Sequence, residues 1–282
     1  MALSAETQER LTQKLAINTD VAQKILTGFI RDEVYKASMK RCVIGLSGGI
    51  DSALSAYLSA LALGAENVLT VRMPYKTSSE DSLTDADKVI QALGLPSLTI
   101  PITEMADALF AQTPDITDRR KGNVMARLRM TILYDQSEVW RGLVMGTSNK
   151  TELLLGYSTL YGDSGVALHP IADLYKTQIR QLSASLGMAS SILQKPPSAD
   201  LWAGQTDEDE LGFTYADVDR LFLLLVDEQY SLEEAIAEGF DAKFVQDVWR
   251  RVKNNHFKRT MPNIAKVSRR TIGHDFLYLR EW

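Results

Sequence analysis

The sequence predicts an α/β fold, an open parallel sheet with helices on both faces. Two observations carry the prediction. Short apolar runs of strand length alternate with longer helical patterns through the first two thirds of the chain, the arrangement that produces a covered parallel sheet. The first of these runs, 42–46, breaks at Ser47-Gly48-Gly49 and passes directly into a helix. Strand, glycine turn, helix is the unit that aims backbone N–H groups at an anion beyond the carboxyl end of a strand. Composition agrees: 282 residues, 45% hydrophobic and 24% charged, describe a globular chain with ample length for a core.

In order, residues 4–39 read as one or two helices. Val21, Ile25, Phe29 and Ile30 mark an apolar face that could cover the sheet or meet a second subunit. After strand 42–46, the helix has Leu54, Leu58 and Leu61 on one face. A second strand spans 67–73 and stops at Pro74. A helix over 79–93 carries Glu80 and Asp81 in its first turn and Gly94 beyond its end. A third strand, 97–102, is interrupted at Pro101; a long helix fills 118–140, and a fourth strand covers 143–147. Another helix begins after Ser148-Asn149, and one more near Asp173, which reads as its cap. Residues 195–205 have no period and read as a loop, 214–256 as helices, and the tail from 257 carries a basic cluster before an apolar end at 276–279. We expect one domain over 1–282: N-terminal helices 1–39, an α/β nucleotide-binding core over about 40–200, and a helical C-terminal part over about 206–282.

A net charge of −5 does not suggest a nucleic-acid partner, although a local basic patch stays open. Residues 1–15 are polar with no apolar signal core, and no run approaches the ~18 apolar residues of a membrane span, so the chain reads as cytoplasmic with no membrane association. Cys42 is the only cysteine, which excludes an internal disulfide and a cysteine-based zinc site; within an apolar strand it reads as a buried, inert thiol.

Several residues carry candidate chemistry. Ser47 and Ser52 can add hydroxyls to the glycine turn, and Asp51 is tolerable beside a phosphate only with a divalent cation between them. No Walker lysine follows the glycines and the G-x-G-x-x-G fingerprint is absent; an ordinary tight turn is the alternative. Arg72 and Met73 end the second strand where an adenine pocket would lie, or are a surface Arg and a core Met. Arg120, Asn123 and Arg127 share a helix face that suits a second anionic ligand, or a solvated basic face. Thr147 is placed for a phosphate contact and Glu152 for a second metal carboxylate; helix capping and an acidic first turn account for that stretch equally well. The glycine-rich stretch 156–165 reads as a mobile substrate loop, in which Asp163 could be a plain turn residue. Lys176 lies in a first helical turn, against the dipole preference, which favours a ligand role. The acidic run 206–210 reads as a solvated helix start.

Ser47-Gly48-Gly49-Ile50-Asp51-Ser52 resembles the PP-loop of the ATP pyrophosphatases, which hold the pyrophosphate of ATP and pass AMP to an acceptor. Together with 121–127, Gly146-Thr147 with Glu152, 160–163, 173–177, 197–201, 205–208 and 257–259, in that order from about Gly45 to the end, it resembles NAD synthetase, of the single-domain ammonia-dependent type. The resemblance implies an adenine nucleotide α-hydrolase-like fold and a two-step reaction. The carboxylate of deamido-NAD attacks the α-phosphate of ATP and releases pyrophosphate; ammonia then attacks the acyl-adenylate and gives NAD and AMP. It implies ATP contacts from Gly45, Leu46, Ser47, Gly48, Gly49, Ile50, Asp51, Ser52, Arg72, Thr147, Lys176 and Ser198, and Mg2+ held by Asp51 and Glu152. Deamido-NAD would meet Asn123, Arg127, Leu160, Phe257 and Lys258, with Asp163 and Lys176 as the catalytic pair. Members are homodimers with deamido-NAD at the interface. Leu160 and Ala167 stand where the short branch carries Lys and Asp, and Phe257 where it carries His. The stretch 158–163 and Ser268-Arg269-Arg270-Thr271 look more like the synthetase part of the longer glutamine-dependent enzymes, which would admit a separate glutaminase that nothing in the sequence requires. Amidation of nicotinate mononucleotide is the nearest rival reading. A GMP synthetase-like or tRNA-modifying enzyme and a non-catalytic nucleotide-binding module stand further off.

Overall fold

Four strands form one sheet in the order β3-β2-β1-β4: β1 (Arg41–Gly45), β2 (Val68–Arg72), β3 (Ser97–Thr99) and β4 (Gly142–Met145). The computed structural model describes residues 3–198, 206–273 and 275; most of the predicted loop 195–205 and the apolar end 276–279 lie outside the described residues. Every strand pair is parallel, with Val43 opposite Leu69 on one side and Val144 on the other. An all-parallel sheet must be covered on both faces, and the alternation along β1 supplies the two faces. Cys42 and Ile44 enter one core and Val43 the other.

On the first face lie α2 (Thr19–Lys36), α3 (Ile50–Leu63), α4 (Glu80–Leu93), α8 (Lys176–Ser185) and α9 (Ser190–Leu193), through residues such as Ile30, Val34, Leu54, Leu58, Val89, Ile179 and Ile192. On the second lie α5 (Thr103–Phe110) and α6 (Asp118–Trp140), through Ala106, Met125, Ile132 and Leu133. A third core gathers α1 (Ala5–Lys14), α7 (Lys150–Leu155), α10 (Asp207–Leu211), α11 (Tyr215–Phe222), α12 (Leu232–Ala237) and α13 (Ala242–Asn254). Leu11, Leu155, Val218, Phe222 and Val248 are buried in it. From β1 the chain builds outward to β2 and β3, then returns to place β4 on the other side of β1. That reversal opens a crevice at the carboxyl ends of β1 and β4, the usual ligand position in such sheets.

The structure corrects several element expectations. The N-terminal helices are two, capped by the side chains of Ser4 and Asn18. In α2 it is Ile30 and Val34 that are buried, whereas Val21, Ile25 and Phe29 stay exposed. In α3 the inner positions after Leu58 fall to Ala62 and Leu63, and Leu61 is 52% exposed. The helix expected to start at Asp173 starts at Lys176; Asp173 is exposed and pairs with Lys150 at 3.4 Å. The strand expected over 97–102 ends at Thr99, and the unanticipated α5 follows Pro101, which has no N–H to extend a ladder. Among the described residues no helix is long and apolar enough to cross a membrane.

Candidate active site

The loop between β1 and α3 occupies that crevice. Gly48 has φ +79°, and a Cβ there would stand 2.1 Å from the carbonyl oxygen of Ser82, so a side chain is excluded by both conformation and space. The two serines brace the turn. Ser52 Oγ accepts the Ser47 N–H at 3.2 Å and lies 3.0 Å from Ser47 Oγ, which in turn accepts the Gly49 N–H at 3.2 Å. Gly49 is the cap residue of α3 and has no side chain to accept from the helix's first turn. Gly-capped backbone donors at the start of a helix suit a phosphate.

Beside this loop three charged side chains meet. The Lys176 ammonium, only 3% exposed, lies 2.6 Å from Asp51 Oδ2 and 3.1 Å from Glu152 Oε1. Each arrives from the start of a different helix: Asp51 on α3, Glu152 on α7 and Lys176 as the first residue of α8. Asn149 caps α7 and closes a capping box with Glu152, while its Nδ2 donates to Asp51 Oδ1 at 2.9 Å. Capping and carboxylate presentation are therefore one structure here, not alternatives. Burial pushes the Glu152 carboxyl up to about 8, against the pull of Lys176 and with reinforcement from Asp51 and Asp207. Burial by itself would lower the Lys176 ammonium, but Asp51 and Glu152 outweigh it and hold it above its usual value. The dipole misplacement of Lys176 is offset by these two carboxylates.

The other candidates gather around the glycine-rich stretch. Asn123 Oδ1 accepts from Thr159 Oγ1 at 2.9 Å, and Arg127 Nε donates to the Leu160 carbonyl at 3.2 Å. Next to them a cleft of about 220 Å³ opens between α5 and α6, lined by residues including Leu109, Ile116, Arg120, Asn123 and Arg127. Asp163 Oδ1 accepts the Thr159 N–H at 2.7 Å and holds the turn. Lys258 Nζ donates to the Gly156 and Ser158 carbonyls, each at 2.7 Å, so it anchors this stretch from the C-terminal side. Its neighbour Phe257 is exposed. Thr147 is half-buried just past β4, and Ser198 is exposed at the edge of the described residues. Arg72 ends β2 as expected but pairs with Asp87 of α4, and its partner Met73 is a core residue.

One buried carboxylate beside the site departs from the expectation. The run 206–210 was expected to be solvated, yet Asp207 is 4% exposed. Its two carboxylate oxygens accept from the hydroxyls of Tyr157 and Tyr215, both at 3.1 Å, and Lys176 Nζ sits 5.0 Å over the Tyr215 ring. Asp207 thus joins the Lys176 group to the start of the glycine-rich stretch. The signal that distinguishes it from Asp209 and Glu210 is spacing: Asp207 and Leu211 are the buried pair of α10, at i and i+4.

A strand–Ser-Gly-Gly–helix loop at the crevice of a parallel sheet, with a lysine bridging two carboxylates beside it, defines an α/β nucleotide-binding enzyme of the PP-loop class. A profile of the family described as NAD synthase matches residues 22–262. The chain is 54% identical over 269 residues to an NH(3)-dependent NAD(+) synthetase of Trichlorobacter lovleyi, covering 95% of this chain and 98% of that one. Among solved structures it is similar to an NH3-dependent NAD synthetase from Campylobacter jejuni, with 34% identity, a TM-score of 0.76, and 89% and 100% of the two chains covered. It is also similar to an NMN synthetase from Francisella tularensis, with 31% identity, a TM-score of 0.79, and 89% and 99% covered. The chain belongs to the NAD synthase family.

Proposed function

We propose that the chain amidates deamido-NAD to NAD with ammonia, driven by cleavage of ATP to AMP and pyrophosphate. The observation that carries the reading is the Lys176 ammonium held between Asp51 and Glu152 beside the glycine loop. A carboxylate is a poor acyl donor and must first gain a leaving group. The nicotinate oxygen attacks the α-phosphorus, the bond to the bridging oxygen breaks, and pyrophosphate departs. Charge building on the leaving phosphates faces the α3 N–H groups, the Ser47 and Ser52 hydroxyls and Lys176. Ammonia then attacks the acyl carbon and AMP leaves.

The site fits a Mg2+ ion. Asp51 and Glu152 already converge on a single cationic point, and among the described residues no cluster of three or more His, Cys, Asp or Glu could hold a metal alone. Phosphate oxygens and water would complete the coordination, which is the habit of Mg2+. When bound, Mg2+ would neutralise charge developing on the phosphates. In this reading Lys176 keeps its proton and turns to the phosphates, Thr147 and Ser198 contact ATP, Arg72 borders the adenine, and Asp163 orients the incoming ammonia. Asn123, Arg127, Leu160, Phe257 and Lys258 would receive the dinucleotide. The exposed row Val21, Ile25 and Phe29 on α2, four residues apart, supports a homodimer.

A second reading, amidation of nicotinate mononucleotide, is favoured by the likeness to the Francisella tularensis NMN synthetase. One assay separates the two. Purified protein is given Mg·ATP, ammonia and either deamidated nucleotide. We expect AMP and pyrophosphate in equal amounts and a higher kcat/KM for deamido-NAD. Preference for the mononucleotide would install the second reading, and ADP with orthophosphate would overturn both.

A further inference from the structure

We propose that Asp219 is a positioning residue for this reaction, fixing where Glu152 and Lys176 stand relative to each other. The inference rests on the roles proposed above for those two side chains. Asp219 belongs to α11, in the third core, and is fully buried. One of its oxygens accepts from the Thr151 hydroxyl at 2.5 Å, the other from the Thr177 N–H at 2.8 Å. The Thr151 hydroxyl also accepts the Lys176 N–H, at 3.0 Å. Thr151 precedes Glu152 in the first turn of α7, and Lys176 and Thr177 open α8. One carboxylate from a third helix therefore ties together the starts of the two helices that present Glu152 and Lys176.

Physical argument favours position over bulk stability as its purpose. Burying a carboxylate is costly, and burial does raise its pKa despite the donors around it. If only packing were needed, an apolar residue facing a valine would serve as well or better. What apolar side chains cannot supply is a fixed direction and register. α7 has only six residues; its own capping box shapes its first turn, and the Thr151–Asp219 bond is what ties that turn to α11. The bonds from the Thr151 hydroxyl and the Thr177 N–H to the Asp219 carboxylate fix the start of α7 against the start of α8. The Lys176–Glu152 contact at 3.1 Å tolerates little displacement.

The test uses the full-length protein with Thr151→Val, Thr151→Ser and Asp219→Asn. Valine keeps the shape of threonine and removes both hydrogen bonds, serine keeps them, and asparagine reverses one donor and acceptor. We expect Thr151→Val and Asp219→Asn to lose about 100-fold in kcat, the scale of an ångström misplacement, with KM for the deamidated substrate within about twofold of wild type. Thr151→Ser should restore kcat to within about threefold. A Thr151→Val enzyme that merely melts lower and keeps its kcat would reduce the network to a structural brace. A Thr151→Ser enzyme as slow as Thr151→Val would overturn the proposal too. If Thr151→Val does not fold, Asp219→Asn is judged by the same criterion. Should wild type fail to amidate either nucleotide, the proposed reaction falls, and calorimetric Mg·ATP affinity judges Asp219 alone. About tenfold weaker binding is then expected in Thr151→Val and Asp219→Asn but not in Thr151→Ser, and equal affinity in all would overturn the linkage.

Discussion

Glu152 and Lys176 act as one electrostatic unit, and pH should expose it. Burial places the folded Glu152 carboxyl at about 8, above the ordinary 4.5. Between those values the folded chain binds more protons than the unfolded one. This contribution stabilises fully at the acid end of the window and is lost as pH rises through it. Lys176 has the same sign. Its folded value is raised, so its contribution is present below the ordinary 10.5 and lost only above it. Removing Lys176 would leave two carboxylates facing each other without a counter-ion, at a cost of about 3–5 kcal/mol, which would swamp any titration. Glu152→Gln is the informative change. Thermal melts across 4.5 to about 8 should show wild type losing stability relative to Glu152→Gln as pH rises. Parallel profiles would mean that Glu152 is already ionised throughout. The same proton predicts that Mg·ATP binding tightens as pH rises toward 8, because a carboxyl must lose its proton to become a cation ligand.

At the scale of elements, the loop from β1 into α3 makes a contrast between neighbouring glycines. Gly48 is left-handed and meets backbone at 2.1 Å, whereas Gly49 is extended, and a Cβ there would meet only Ser47 Oγ at 3.3 Å. A left-handed alanine costs about 1–2 kcal/mol before any clash. Gly48→Ala should therefore lose ATP–pyrophosphate exchange almost completely and melt several degrees lower, while Gly49→Ala, which only crowds the Ser47 hydroxyl, melts much closer to wild type; equal behaviour in melts of the two would show that the turn rearranges freely. This loop was legible in the sequence because strand, glycines and helix are contiguous. So were β1, β2, β4 and α6, whose periods are long or apolar enough to stand alone. Asp207 was missed because a four-residue acidic run looks solvated; its i, i+4 spacing to Leu211 was the one clue, and packing against Tyr157 and Tyr215 is what buries it. The face of α2 was half legible. Period placed Ile30 on an apolar stripe, but which part of that stripe meets α3 and which meets solvent depends on a crossing angle that no local pattern records. Lys258, expected to meet the dinucleotide, also holds two carbonyls, an anchoring role that sequence could not separate from binding, since a lysine donates to either.

The whole molecule bears on where the nitrogen comes from. Using glutamine requires a nucleophile that attacks the side-chain amide, commonly a thiolate with a base beside it. The only thiol here is Cys42, which lies in the central strand of the sheet. Its side chain is fully buried in the core beneath α3. Burial pushes that thiol up to about 12, well above its usual value, so almost none is ionised at neutral pH. A glutamine molecule could reach it only by opening the sheet. The glycine turn, by contrast, begins at Ser47, past the end of β1, so Cys42 supports the loop from beneath and does nothing to substrate. Cys42→Ser should accordingly keep ammonia-dependent NAD formation at a modest cost in stability, because the buried hydroxyl would have the Ser59 side chain beside it but otherwise apolar surroundings. Wild type given glutamine freed of ammonia should form negligible NAD, and the addition of ammonium salt should restore it at once. Robust turnover of glutamine by the purified chain, or loss of the ammonia reaction in a folded Cys42→Ser enzyme, would put a reactive nucleophile where the structure has only packing.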